Sequence, residues 1–217
     1  MTVLVIGHLQ TRPGDVDRLR PALVRHTRVV RRLEGCLDYV IGSDIDTPGC
    51  LRVVERWRGP TQAAHLIGGH MPAFNIAMQT ASVLGAQLDA FEGSTVTRIL
   101  EIPAKSFRAT YDVPDATHDF VTVRLKRSAI AALLPRLCAR IAAARAMPGC
   151  DLYAIARDAT DDTLFVIVER WRDVAAQGAF RASTDAAAFD AVIAGASAGP
   201  VELWWRRLRG KVAANPR

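Results

Sequence analysis

The feature that most constrains this chain is an internal repeat. Displacing the sequence against itself by 114 residues superimposes Leu19 on Leu133, Pro21 on Pro135, Leu23 on Leu137, Gly35-Cys36 on Gly149-Cys150, Tyr39 on Tyr153 and Asp44 on Asp158. A tetrapeptide then matches whole, because Glu55-Arg56-Trp57-Arg58 recurs as Glu169-Arg170-Trp171-Arg172 with no gap. Solenoid repeats run roughly 20 to 50 residues, so a unit this long is a duplicated domain.

Within each copy the hydrophobic period changes in a fixed order. In copy one Val3 to Gln10 reads as a β-branched strand. Pro13-Gly14-Asp15 is a turn, with Asp15 the expected N-cap of a helix through Arg32, whose stripe is Leu19, Leu23, Val30 and Leu33. Strands follow from Leu37 to Ser43 and Leu51 to Trp57, joined by Asp46-Thr47-Pro48-Gly49. A second helical region runs from Thr61 to about Leu84, broken near Gly68-Gly69 and Pro72, and strand four is Thr95 to Ile102. Copy two repeats the order: strand Phe120 to Lys126, helix Ser128 to Ala146, strands Leu152 to Arg157 and Thr163 to Trp171, helices from Asp173 to about Ala194, then Val201 to Leu208.

The expected division is therefore domain one over 1–102, a linker over 103–117, domain two over 118–209 and a tail over 210–217. A β-α-β-β-α-β order implies an α+β fold, a ferredoxin-like antiparallel sheet with both helices on one face. The other face is then bare, at about 25 cal/mol per Å² of apolar surface left in water. The expectation is that the two sheets pack into one pseudo-twofold α+β barrel enclosing an apolar chamber, an intrachain pseudo-dimer.

Composition narrows the partners. The net charge of +6 comes mostly from arginine, but Arg18, Arg20, Arg25, Arg28, Arg31 and Arg32 are spread around one helix and no basic block carries interleaved aromatics. No nucleic-acid partner is expected. No run approaches the roughly 18 apolar residues of a membrane span, so no membrane partner is expected either. Cys36, Cys50, Cys138 and Cys150 lack metal-ligand spacing, and with an N-terminus unlike a signal peptide they point to reduced thiols in the cytoplasm. No zinc or non-heme iron motif and no glycine-rich phosphate loop is present, so no cofactor is expected.

The run Glu34-Gly35-Cys36-Leu37-Asp38-Tyr39, then Val54-Glu55-Arg56-Trp57, then Ala64-His65 followed by His70 and Phe74, resembles the antibiotic biosynthesis monooxygenase family. Copy two keeps Pro148-Gly149-Cys150 and Glu169-Arg170-Trp171 but has no histidines where copy one has two. The resemblance covers all but the linker and the tail. It implies a dimeric α+β barrel, and among the family's chemistries a cofactor-independent monooxygenase that oxidises a phenolic polycyclic compound of the anthrone or naphthol type, from aromatic polyketide antibiotic biosynthesis, to a quinone. Molecular oxygen is then the co-substrate and a small aromatic molecule the partner. A polyketide cyclase and a non-catalytic ligand-binding barrel remain as alternatives, and a heme-degrading monooxygenase ranks last.

The candidate catalytic residues are His70 and His65, whose imidazoles titrate near neutral pH. On one unbroken helix they sit about 140 degrees apart, so only a break at Gly68-Gly69 brings them together. The candidate substrate-binding residues are Trp57, Tyr39, Phe74, His8, Trp171, Tyr153 and Trp205. Each also has a plain packing role to play. For Glu55 and Glu169, alternation along the strand gives the same face as the tryptophans, and a structural ion pair is the expected role. The family's oxygenases carry an asparagine four residues before that tryptophan; here the positions are Val53 and Ile167, so no oxyanion donor is assigned. Further association of the whole chain through its outer helices stays open.

Overall fold

The computed structural model describes residues 2–59, 61, 65, 68–80, 83–92, 95–102, 117–199 and 202–204. The elements of copy one are β1 (Thr2–Gln10), α1 (Asp15–Val30), β2 (Cys36–Asp44), β3 (Cys50–Arg58), α2 (Met71–Thr80), β4 (Gly85–Glu92) and β5 (Thr95–Ile102). Those of copy two are β6 (Thr117–Arg124), α3 (Arg127–Ala146), β7 (Cys150–Asp158), β8 (Leu164–Trp171), α4 (Val174–Arg181), α5 (Thr184–Ala196) and β9 (Glu202–Trp204).

The Gly-Cys turn shared by the copies has a backbone reason. Gly35 and Gly149 hold φ of 80° and 85°, values an L side chain rarely adopts, and so turn the chain from helix into β2 and β7. Each glycine carbonyl then accepts from the strand-ending arginine, Arg58 N–H on Gly35 and Arg172 N–H on Gly149, both at 2.7 Å. A Cβ on Gly35 would lie 2.1 Å from Thr61 Oγ1, so packing as well as φ requires glycine.

All strands belong to one nine-stranded sheet in the order β5-β4-β1-β3-β2-β7-β8-β6-β9. The copies meet where β2 runs antiparallel to β7, pairing Gly42 with Asp158, Ser43 with Arg157 and Asp44 with Ala156. Because positions 42 and 44 correspond to 156 and 158 under the repeat, this ladder maps onto itself, as a twofold contact must. The flanking bonds obey the same relation: Ile45 N–H donates to Ile155 O and Ala159 N–H to Ile41 O, both at 3.0 Å. Arginines at the ends of α1 and α3 clasp the junction. Arg31 donates to its own Tyr39 carbonyl (2.8 Å) and crosses to Asp158 (2.7 Å), while Arg145 donates to Tyr153 carbonyl (2.9 Å) and crosses to Asp46 (2.7 Å).

Three expectations need correction. First, the sheet is not closed into a barrel: its order runs open from edge β5 to edge β9. Closure requires two edges to pair. Among the described residues the β4–β5 hairpin gives copy one five strands against four in copy two, so the sheet lacks the equal halves of a twofold barrel. Second, strand four of copy one is Gly85–Glu92, paired with β1, and Thr95–Ile102 is an added strand outside it. The second helix, described to Thr80, does not reach Leu84, which directly precedes β4. Third, α1 starts at Asp15 with Gly14 at the N-cap, φ 92°, so Asp15 is inside the helix and not its cap.

The helix-free faces share one apolar cluster. Leu4, Ile6, Val40 and Val54 of copy one lie with Phe120, Ala156, Val166 and Val168 of copy two. Val166 is fully buried and Val168 nearly so, which makes this space a packed core where a chamber was expected. The two other cores lie between sheet and helices, one in each copy. A cavity opens in the first of these.

Candidate active site

In α1 the buried positions are Leu19, Leu23, His26, Thr27 and Val30, so a histidine occupies the apolar stripe and points at the sheet. In β3, alternation sends Val53, Glu55 and Trp57 to the helix side, and Glu55 and Trp57 are 3% and 0% exposed. The Trp57 indole N–H donates to Glu55 Oε2 at 2.7 Å. The Trp171 indole N–H donates to Glu169 Oε2 at 2.6 Å, so the repeated Glu-x-Trp is a buried carboxylate held by its own strand neighbour.

Around this shared pair the copies diverge. In copy one the His65 ring stacks on Trp57, centroids 4.9 Å apart and 20° between planes, with its Nε2 3.9 Å from Glu55 Oε2. His65 Nδ1 lies 2.9 Å from His70 Nε2, so one imidazole donates to the other. The turn at Gly68 permits this: Gly68 N–H bonds to His65 O and Met71 N–H to Gly68 O, which brings the second ring back over the first. The line Trp57, Glu55, His65, His70 runs from the sheet outward. His26 lies beside it, 5.8 Å from His65 and 5.5 Å from His70 between centroids, and stacked on Phe74 at 3.9 Å.

These groups bound a cavity of about 290 Å³. Its floor is Leu9, Tyr39, Ile41, Val53, Glu55 and Leu88 from the sheet, and its walls are His26, His65, Met71, Phe74 and Asn75. The lining is largely apolar with a few converging polar groups, the usual make-up of a small-molecule site. A shallower groove of about 260 Å³ lies outside it between α1 and α2, bounded by Ala22, Arg25, His26, Val29, His70, Ala73 and Phe74.

Burial sets the protonation states. It pushes the Glu55 carboxyl up to about 7, against the Trp57 hydrogen bond, which pulls it down. It pushes His65 down to about 4, with His70 adding to the effect, and His26 down to about 3, with His65 and His70 adding to it. His70 is lowered by burial, and Tyr39 is raised well above a phenol's ordinary value by burial and then by Glu55. At neutral pH the three imidazoles and the phenol are therefore uncharged, and Glu55 is the group poised between its two forms. A general acid or base is most effective with a pKa near the working pH, which favours Glu55 over the histidines.

In copy two Glu169 is ion-paired: Arg181 lies 3.2 Å from Glu169 Oε1 and 2.6 Å from Asp119 Oδ2. Arg140 stands where the repeat puts His26, with its guanidinium 3.9 Å from the Phe180 ring centre and its Nε 3.4 Å from the Tyr153 hydroxyl. Phe180 lies 4.9 Å from Trp171, as His65 does from Trp57. The structural ion pair expected of both glutamates thus holds for Glu169. Among the described residues Glu55 has no arginine or lysine partner.

Of the residues singled out in the sequence, Tyr39, Trp57, His65, His70 and Phe74 come together in copy one. Trp57 lies beneath the cavity, under His65, and does not line it. Tyr153 and Trp171 belong to the separate core of copy two. His8 follows Leu4 and Ile6 on β1 and so faces the helix-free side, away from the cavity. Trp205 lies outside the described residues. Sequence reading missed His26, although the 19-23-26-30 spacing carries it into the buried stripe; Met71 and Asn75 of α2 gave no signal beyond helical position.

Among the described residues no three His, Cys, Asp or Glu side chains converge as metal ligands, all four cysteines are free, and no helix is long and apolar enough to cross a membrane.

Comparison with known proteins gives the family. The antibiotic biosynthesis monooxygenase pattern matches residues 2–75 and again 120–192. No curated protein matches the chain. Among solved structures, Rv0793 from Mycobacterium tuberculosis is 25% identical over 41% of this chain and 90% of its own, with a TM-score of 0.39. PA3566 from Pseudomonas aeruginosa is 25% identical over 42% of this chain and 94% of its own, TM-score 0.38. FN1347 from Fusobacterium nucleatum is 9% identical and covers 100% of this chain and 98% of its own, TM-score 0.40. With its pattern matched twice and over most of the length, the chain belongs to the antibiotic biosynthesis monooxygenase family as a tandem of two family domains.

Proposed function

We propose that copy one is the active half and that it oxidises a phenolic, naphthol- or anthrone-type substrate to a quinone with molecular oxygen and no cofactor. The family supports a monooxygenase-type oxidoreductase. The observation that carries the finer reading is the apolar cavity of about 290 Å³ floored by a carboxyl group whose pKa burial has pushed to about 7.

Ground-state oxygen reacts slowly with closed-shell molecules but accepts an electron from a phenolate. Glu55 in its ionised form takes the hydroxyl proton, and the apolar walls leave the resulting anion poorly solvated and electron-rich. One electron passes to oxygen, the radical pair joins at the ring carbon para to the oxygen, and the hydroperoxide so formed loses water to give the quinone. One oxygen atom enters the product and the other leaves as water. The hydrogen-bonded His65–His70 pair carries protons between the cavity and the outer groove, since each neutral imidazole can donate from one nitrogen and accept at the other; the 3.9 Å from His65 Nε2 to Glu55 Oε2 is bridged by a water or by the substrate hydroxyl. Substrate ring and Phe74 can stack in the offset geometry aromatic pairs favour.

The test is product analysis with 1-naphthol and anthrone, using EDTA-treated protein under air and under argon. Quinone carrying one added oxygen in air only supports the reading; the same product under both gases points to a cyclase-type reaction instead.

A further inference from the structure

His26 is 5% exposed, and among the described residues neither ring nitrogen has a hydrogen-bond partner. A buried polar atom left unsatisfied is destabilising, and here one ring carries two. Its neighbours are aromatic: Phe74 stacked on one face at 3.9 Å, Tyr39 edge-on at 5.7 Å, and the two other imidazoles. The ring borders both the inner cavity and the outer groove, which meet at His26 and Phe74. Nothing in the catalytic line uses it. Besides His26 and His70 the outer groove is bounded by small or apolar residues, and among the described residues its one permanently charged lining group is Arg25, exposed and without an ion-pair partner there.

We propose that the cavity and groove form one binding site for a one- or two-ring hydroxyaryl carboxylic acid, its hydroxyl hydrogen-bonded to His26 beside Glu55 and its carboxylate held by Arg25. The inference deepens the oxidation reading and rests on it. A neutral imidazole donates from one ring nitrogen, so His26 can hold the hydroxyl oxygen while the hydroxyl proton is directed to Glu55. Arginine's planar fork suits a carboxylate at the open end. The inner cavity, at the low end in size for small-molecule sites, holds about two fused rings, and anything larger extends into the groove.

The test is equilibrium binding by calorimetry under argon, so that turnover does not intervene, with 3-hydroxy-2-naphthoate, 2-naphthol and naphthalene as probes. Wild-type protein is expected to bind the hydroxynaphthoate about fivefold more tightly than 2-naphthol, a preference that high salt and Arg25→Gln both remove. Naphthalene is expected to bind about tenfold more weakly than 2-naphthol. His26→Phe should abolish that second difference, and His26→Gln, which keeps a donor and an acceptor, should restore most of it. Equal wild-type affinity for the hydroxynaphthoate and 2-naphthol, or for 2-naphthol and naphthalene, overturns the proposal whatever the variants do. Tight binding of these probes with no oxygen uptake in air on 1-naphthol, whose para carbon is free, would instead sink the oxidation reading, so the two failures are distinguishable.

Discussion

The two copies hold the same indole–carboxylate pair in the same place on the same strand and surround it differently. In copy two the carboxylate of Glu169 meets Arg181, and Arg140 spreads over Phe180. In copy one the corresponding carboxylate faces imidazoles, an apolar cavity and no cation among the described residues. A buried carboxylate with a cation is a structural device; one without can be kept only by giving up part of its acidity. The repeated carboxylate is thus neutralised by an arginine in copy two and, among the described residues, by no cation in copy one.

The largest effect expected is on turnover. Replacing Glu55 by Gln should reduce kcat for naphthol oxidation by about 10²–10⁴-fold, the usual range for a lost general base. Glu169→Gln should leave kcat within a few-fold of wild type. Steady-state oxygen uptake by both variants measures the contrast.

Next comes a pH effect on stability. Glu55 binds its proton more tightly in the folded chain, so its stabilising contribution is complete below about 4.5 and is lost as pH rises through about 7. Glu55→Gln removes that loss. At about 1.4 kcal/mol per pH unit, the variant should gain up to about 3 kcal/mol on wild type between those limits, read from urea unfolding at a series of pH values. The buried histidines act the other way: their folded values are lowered, so their contribution is present above about 6.5 and lost on acidification. Both proteins contain them, and they cancel in the difference.

Arg181→Ala should destabilise by about 2 kcal/mol, because it strands the buried carboxylates of Asp119 and Glu169; the figure is held below that for a fully enclosed pair because Arg181 is about one-third exposed. Denaturant midpoints measure it, and kcat per folded molecule should not change.

The smallest shift separates the tryptophans. Trp57→Phe removes the hydrogen bond that holds Glu55 down, so the acidic limb of the kcat/KM pH profile should move upward by up to about one unit. Trp171→Phe should leave the profile where it is.

Much of this was legible in the sequence, for reasons particular residues show. The repeat announced two like units though not their edge pairing through β2 and β7, and the Gly-Cys turns and Glu-x-Trp strands were readable because backbone φ and strand alternation are local properties. Open-sheet topology was not readable, since β4 carries Gln87 and Asp89 among its inward positions and lacks a continuous apolar pattern. Placing His65 against His70 depended on the turn at Gly68, which helical periodicity alone argues against. The difference between Glu55 and Glu169 was hidden because it depends on groups from other elements, an arginine on α4 in one case and imidazoles from two helical segments in the other.

The most direct test of the account is a side-by-side assay of Glu55→Gln and Glu169→Gln, each verified as folded by circular dichroism, with 1-naphthol and ¹⁸O₂. Wild type and Glu169→Gln are expected to incorporate one labelled oxygen atom into quinone, and Glu55→Gln to do so at least about a hundredfold more slowly. Equal losses in the two variants, or undiminished labelling in Glu55→Gln, would contradict it.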